Sequence, residues 1–127
     1  MEIAVRDGLP FTSAVVHFGK TCQPIDQVLI DTGSAGSVFS VDVLLSIGIT
    51  PEPSDLLRRI SGVGGSEFVF TKQIPLLEVG SISLEKFNIE VGALDYGFAM
   101  NGIIGMDFLT KSGSIIDLNQ NVLYSNS

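Results

Sequence analysis

One carboxylate stands out by its position. In Val28-Leu29-Ile30-Asp31-Thr32-Gly33-Ser34-Ala35-Gly36-Ser37, three aliphatic residues that read as a buried strand end directly in Asp31. A charge delivered to such a place is expensive to keep without partners. The residues that follow can supply them. Gly33 and Gly36 permit a tight turn whose amides face an anion, and Thr32, Ser34 and Ser37 carry hydroxyl donors. The stretch is either a cradle around one working acid or a polar loop that closes a strand, and Asp31-Thr32-Gly33 alone does not decide between them.

Few other residues offer chemistry. Cys22 and His17 are the only cysteine and histidine, so an intrachain disulfide, a zinc cluster and a Ser-His or Cys-His nucleophile all lack their parts. No metal and no cofactor are expected. His17, in Ala14-Val15-Val16-His17-Phe18, reads as an ordinary strand position, and Cys22 as a loop or packing residue. Fourteen acids against seven Lys and Arg give a net charge of −7, with no basic cluster longer than Arg58-Arg59. Nucleic acid and anionic membrane are therefore unsuited as partners. No apolar run approaches the ~18 residues needed to span a bilayer. Met1-Glu2 opens straight into patterned sequence without a signal peptide, which predicts a soluble, cytoplasmic protein.

The 127 residues are one domain's worth of chain, 1–127, and 45% hydrophobic residues with 14 glycines suit a compact, turn-rich, mostly β fold. Residues 2–6 and 11–18 alternate apolar and polar around Asp7-Gly8-Leu9-Pro10 and predict an opening hairpin. Gly19 to Pro24 reads as a loop. Val28-Leu29-Ile30 enters the acid loop and Val38-Phe39 leaves it. Ser40 is placed to cap a short helix over 41–46, with Asp42 near its positive end, Gly48 beyond it, and Val41, Leu44 and Leu45 on one face. Pro51 and Pro53 then break regularity, and 55–58 reads as one further turn.

Ile60 to Phe70 predicts a hairpin with a glycine-rich tip at Gly62, Gly64 and Gly65, able to approach a ligand closely or simply to supply positive φ angles. Residues 74–79, 82–84 and 87–91 predict a meander of short strands. Asn101-Gly102-Ile103-Ile104-Gly105 repeats the apolar-apolar-turn pattern of the acid loop, and Gly105 lets the chain pass close against that loop before a short helix. Asp107 falls where a carboxylate stabilises the helix dipole. Residues 114–118 and 122–124 predict a closing hairpin around Asn119-Gln120-Asn121. Asp117 within it and Asp95 before Tyr96-Gly97 read as structural or loop acids.

In this order the pieces resemble the retroviral-type, retropepsin-like aspartic proteases, over residues 11 to 125. The resemblance rests on Leu29-Ile30-Asp31-Thr32-Gly33-Ser34, then Ile60-Ser61-Gly62-Val63-Gly64-Gly65, then Ile103-Ile104-Gly105 before a short helix. It implies an all-β, small closed acid-protease barrel with one or two short helices, a glycine-rich flap and interlocked ψ-shaped loops. It further implies Asp31 as the catalytic acid within Asp31-Thr32-Gly33 and Thr32 gripping the partner's loop. The Ser34 hydroxyl, by its own chemistry, is expected to support Asp31 by donating to its carboxylate and favouring the charged form. Gly62, Val63 and Gly64 of the flap, and Ile103, Ile104 and Gly105, would meet substrate. Viral members commonly carry an acid after Asp-Thr-Gly-Ala and an arginine after the later glycine, whereas Ala35 and Met106 stand here. Both halves of that ion pair are missing together, and Ser34 is the version found in pepsin-like and several cellular members.

Peptide hydrolysis without a metal or nucleophile needs a base to deprotonate water and an acid to protonate the carbonyl and the leaving amine. Aspartic proteases generally meet both needs with two carboxylates about 3 Å apart that share a proton. Only one Asp-Thr-Gly occurs here, so the second Asp31 must come from another copy in a twofold homodimer. The expected activity is an aspartic endopeptidase with an acidic optimum, acting on extended peptide bound as an added strand. The competing reading is a non-catalytic peptide- or protein-binding module of the same fold.

Overall fold

The computed structural model describes residues 1–53, 55–62, 65–94 and 99–126, with the backbone only for 56–62 and 65–68. Strand β1 (Ala4–Arg6) pairs antiparallel with β2 (Leu9–Phe18), joined by Asp7 and Gly8 at φ 52° and 77°. Positive φ at both turn positions is the twist a two-residue hairpin requires, and Asp-Gly tolerates it best. β2 continues into β3 (Thr21–Ile30), then β4 (Val38–Ser40), helix α1 (Val41–Leu45), β5 (Leu56–Gly62), β6 (Gly65–Val79) and β7 (Ile82–Gly92). The chain ends with β8 (Gly102–Ile104), helix α2 (Met106–Lys111), β9 (Ser114–Asp117) and β10 (Val122–Ser125).

Strands β2, β3, β8, β4, β7 and β6 follow one another in the sheet, and β2 also pairs with β6 through Val16↔Leu77. That last pairing closes a barrel, with β1 and β5 as additional strands outside the ring. The expected all-β closed barrel with two short helices is the fold observed. Its core holds Val16, Phe39, Ile74, Leu77, Ile104 and Phe108, all with no exposed surface. Each contributes about 1.5–3 kcal/mol by leaving water. Phe108 of α2 meets Phe87 edge to face, ring centroids 5.7 Å apart, and so seats α2 on the barrel.

Several boundaries differ from the sequence reading. Residues 21–24 are strand, because Phe18↔Thr21 closes a hairpin at Gly19 and Lys20. Pro24 is tolerated opposite Val15 because β3 meets β8 only from Val28 onward, leaving the missing amide at an edge. Cys22 is thus an exposed strand residue. Residues 56–58 lie in β5 and not in a helical turn, their backbone paired with Phe70, Val69 and Thr71 of β6. The expected strands at 68–70 and 74–79 are one strand, as are those at 82–84 and 87–91, because β6 pairs with β7 from Phe70↔Val91 to Val79↔Ile82. In α1, Ser40 makes no side-chain cap, and Leu45 is exposed while Leu44 is fully buried.

Candidate active site

Three segments distant in sequence cross at Asp31. β8 lies between β3 and β4, parallel to the first (Leu29↔Ile103, Ile30↔Ile104) and antiparallel to the second (Val38↔Ile103). The loop from Asp31 to Ser37 must therefore bridge over β8, and the end of β8 passes beneath it. Gly105 sits at that crossing. A Cβ there would lie 2.3 Å from the Gly36 carbonyl oxygen and 2.7 Å from that of Ser34, so only glycine fits. Across the contact, the Met106 and Asp107 amides donate to the carbonyls of Ser34 (2.7 Å) and Ala35 (3.1 Å).

Asp31 is held at its backbone and left open at its side chain. Its amide donates to the Ile104 carbonyl (2.9 Å), and its own carbonyl accepts from Ser34 N (3.1 Å). The half-buried carboxylate accepts the Gly33 amide at Oδ1 (2.9 Å). A Cβ at Gly33 would stand 3.2 Å from that oxygen, so glycine keeps the carboxylate uncrowded. Thr32 and Gly33 are exposed. Ser34 behaves otherwise than expected, since its hydroxyl donates to the Gly36 carbonyl (2.7 Å) and not to the Asp31 carboxylate. A short hydroxylated side chain closes its own turn more readily than it reaches back three residues.

The two isoleucines of β8 part company. Strand alternation sends Ile104, with Val28 and Ile30, into the main core. Ile103 faces the other side with its register partner Leu29, and Phe11, the partner of Leu29, completes a row across three strands. Buried Met100 and half-buried Leu9 and Leu94 join it, forming a second, small buried cluster that reaches to two residues before Asp31. On the α2 side, Thr32 opens on a groove of about 460 Å³ lined by Met106, Leu109, Thr110 and Ile116. The β5–β6 hairpin pairs as far as Gly62↔Gly65, while Val63 and Gly64 at its expected tip, and Asp95, lie outside the described residues.

Two side-chain links escaped sequence reasoning. The first is Ser37, fully buried, whose hydroxyl donates to Asp107 Oδ1 (2.7 Å) and accepts from Gly105 N (3.0 Å). The Ser37 amide donates to Asp107 Oδ2 (3.1 Å), and Oδ1 also accepts Phe108 N (2.7 Å). Asp107 is thus a clamp between segments as well as an acid in the first turn of α2. The second lies at the hairpin base, where buried Lys72 meets Asp55 at 2.7 Å and Glu52 at 3.3 Å. Phe70, Lys72 and Ile74 share one strand face, and a lysine between two buried apolar residues was the available signal.

The hydrogen bond from Lys72 is the main reason the Asp55 carboxyl lies below its ordinary value, with smaller help from the Glu52 amide. For Lys72, burial works to lower the ammonium's pKa, but the hydrogen bonds to Asp55 and Glu52 outweigh it and the net direction is up. Elsewhere, His17 pairs with Glu78 across β2 and β6, and Asp117 Oδ1 accepts the Asn119 and Gln120 amides to shape the last turn. Among the described residues no group of three or more His, Cys, Asp or Glu is arranged to hold a metal ion, and no helix is long and apolar enough to cross a membrane.

No curated protein matches the chain at a significant level. A protein-family model described as aspartyl protease matches residues 14–108, from the middle of β2 through the acid loop, the hairpin and β8 into α2. That span contains the whole crossing, and the chain accordingly belongs to the retropepsin-like aspartyl protease family.

Proposed function

We propose that the chain is an aspartic endopeptidase completed by a second copy, with the two Asp31 carboxylates facing each other across a twofold axis and activating one water between them. The observation that carries this is the open Asp31 carboxylate, bonded to Gly33 N and set on a loop that Gly105 pins from beneath. One copy supplies one carboxylate, while the reaction needs a base and an acid together. The exposed Thr32 and the groove beside it leave room for the partner's matching loop.

Substrate would lie extended between the β5–β6 hairpin and the acid loop, paired through its backbone. Ile103, with Leu29 and Phe11 in a cluster only 4–8% exposed, would offer substrate an apolar edge rather than a deep pocket. Gly62, Val63 and Gly64 remain the proposed flap contacts, Gly105 acts through the crossing, and Ile104 acts from within the core. No metal or cofactor enters the reading.

The non-catalytic reading draws on the chain ends. Leu123 N donates to the Met1 carbonyl and Ile3 N to the Asn121 carbonyl (both 2.8 Å), so the terminal strands satisfy one another within one chain. A binding module would need no more. Peptide cleavage across acidic to neutral pH, run beside sedimentation, separates the two. The protease reading expects a dimer that cleaves and an Asp31→Asn dimer that does not. A strict monomer, or full activity in Asp31→Asn, overturns it.

A further inference from the structure

The acid loop is tied down at two ends by different means. At its entry, Asp31 N meets the Ile104 carbonyl, a neutral backbone bond. At its exit, Asp107 takes both the amide and the hydroxyl of Ser37, one on each oxygen, while its own amide holds Ala35. The Ser37 hydroxyl in turn accepts Gly105 N, so one buried serine and one carboxylate fasten the loop to the strand beneath it. Bonds to an ionised acceptor are shorter and stronger than neutral ones, and a two-oxygen grip fixes direction as well as distance.

We propose that Asp107 is the positioning residue for Asp31, acting through Ser37 and touching no substrate. The inference rests on the homodimeric protease reading, and the twofold axis gives it weight. Two copies of the loop face each other, so any displacement of one Asp31 is repeated by its partner and the carboxylate separation changes by up to twice as much. Misplacement on the order of 1 Å costs about a hundredfold in rate. A loop slackened at Ser37 therefore loses turnover well before the barrel loses its fold.

The test compares Asp107→Asn, Ser37→Ala and, as a control for mild destabilisation, Asp117→Asn in the remote last turn. Asp107→Asn keeps one oxygen for the Ser37 hydroxyl but sets an NH2 group against the Ser37 amide. The expected result is a kcat lowered about tenfold or more in Asp107→Asn and Ser37→Ala with KM little changed. The double variant should be no worse than the poorer single one, since both cut the same link. Asp117→Asn should leave kcat unchanged at a similar loss of Tm.

Amide hydrogen exchange supplies a readout independent of cleavage: residues 32–36 should exchange about tenfold faster in Asp107→Asn while β2 and β7 keep their protection. Unchanged exchange in 32–36 overturns the proposal whether or not the wild type cleaves. Faster exchange with wild-type kcat also overturns it, leaving Asp107 a purely structural clamp. Should Asp107→Asn fail to fold, Ser37→Ala carries the same two readouts and the same outcomes.

Discussion

Lys72 Nζ and Asp55 Oδ2 lie 2.7 Å apart at the point where β6 stops pairing with the hairpin strand β5 and continues beside β7. The ammonium is buried, whereas its second partner, Glu52, is largely exposed. The ion pair therefore pins the base of the β5–β6 hairpin. Removing either side of the pair leaves a charge short of its partner, because the Asp55 side chain is only 12% exposed and that of Lys72 6%. Lys72→Met and the double variant Glu52→Ala with Asp55→Ala should each lower Tm by about 5 °C or more, while the triple variant that removes all three charges should lose less than the double one. Calorimetry or a thermal CD scan reads all three, and a triple variant less stable than the double one would show that the clamp does not depend on charge.

The same pair gives a pH dependence. Asp55 is depressed in the folded state, so its contribution is complete above the ordinary 3.8 and is lost as pH falls through the lower folded value. Lys72 is raised, so its contribution is complete below 10.5 and is lost as pH rises through the higher folded value. Urea midpoints of wild type and Lys72→Met should differ by a constant amount between those limits. The difference should shrink at strongly acidic pH.

Gly105 allows a sharper prediction. A methyl group there meets backbone carbonyls on the opposing loop, which cannot rotate away as a side chain would. Gly105→Ala should cost about 3 kcal/mol or more in chemical unfolding, at the upper end of overpacking penalties. Gly48→Ala, at φ 86° with open space around it, should cost only about 1–2 kcal/mol.

Much of this was legible in the sequence and some was not, for physical reasons that differ by residue. The acid loop, the crossing at Gly105 and the closing hairpin were written in local signals: an apolar run ending in a charge, glycine at a close approach, a polar turn between strands. The extents of β3, β5 and β6 were not, because Pro24, the break at Pro51 and Pro53, and polar Thr71-Lys72-Gln73 look like interruptions until the partner strand is known. The tie between Ser37 and Asp107 spans 70 residues, and neither side chain betrays the other. Ser34 was misread for the converse reason: its nearest acceptor was its own turn.

The paired isoleucines of β8 should separate stability from recognition. Ile104→Ala removes a fully buried side chain and should cost about 2–5 kcal/mol. Ile103→Ala, at a residue 7% exposed beside Leu29 and Phe11, should also lower stability but in addition raise KM for peptides with small apolar side chains about tenfold and shift preference toward bulkier ones. Steady-state kinetics on a small peptide panel, beside urea unfolding, distinguishes the two.

A mixing experiment tests the shared site. If each dimer needs two intact Asp31 residues, as proposed, equal amounts of wild type and Asp31→Asn, after exchange of subunits, should retain about a quarter of the activity of the same total wild-type protein. Retention of half would show that each copy works alone.

The passage of β8 between β3 and β4 also sets a clock on the molecule. Strands 3 and 4 are made early in synthesis, yet the slot between them stays empty until Gly102–Ile104 arrives after the whole hairpin and β7. Such sequence-distant closure is slow, since its loop entropy is lost before its contacts form. Until then the Asp31 amide lacks the Ile104 carbonyl and Ser37 lacks Asp107. A nascent or truncated chain carries the complete Asp31-Thr32-Gly33 but lacks these ties, so Asp31 is fixed in place only by the last quarter of its own polypeptide.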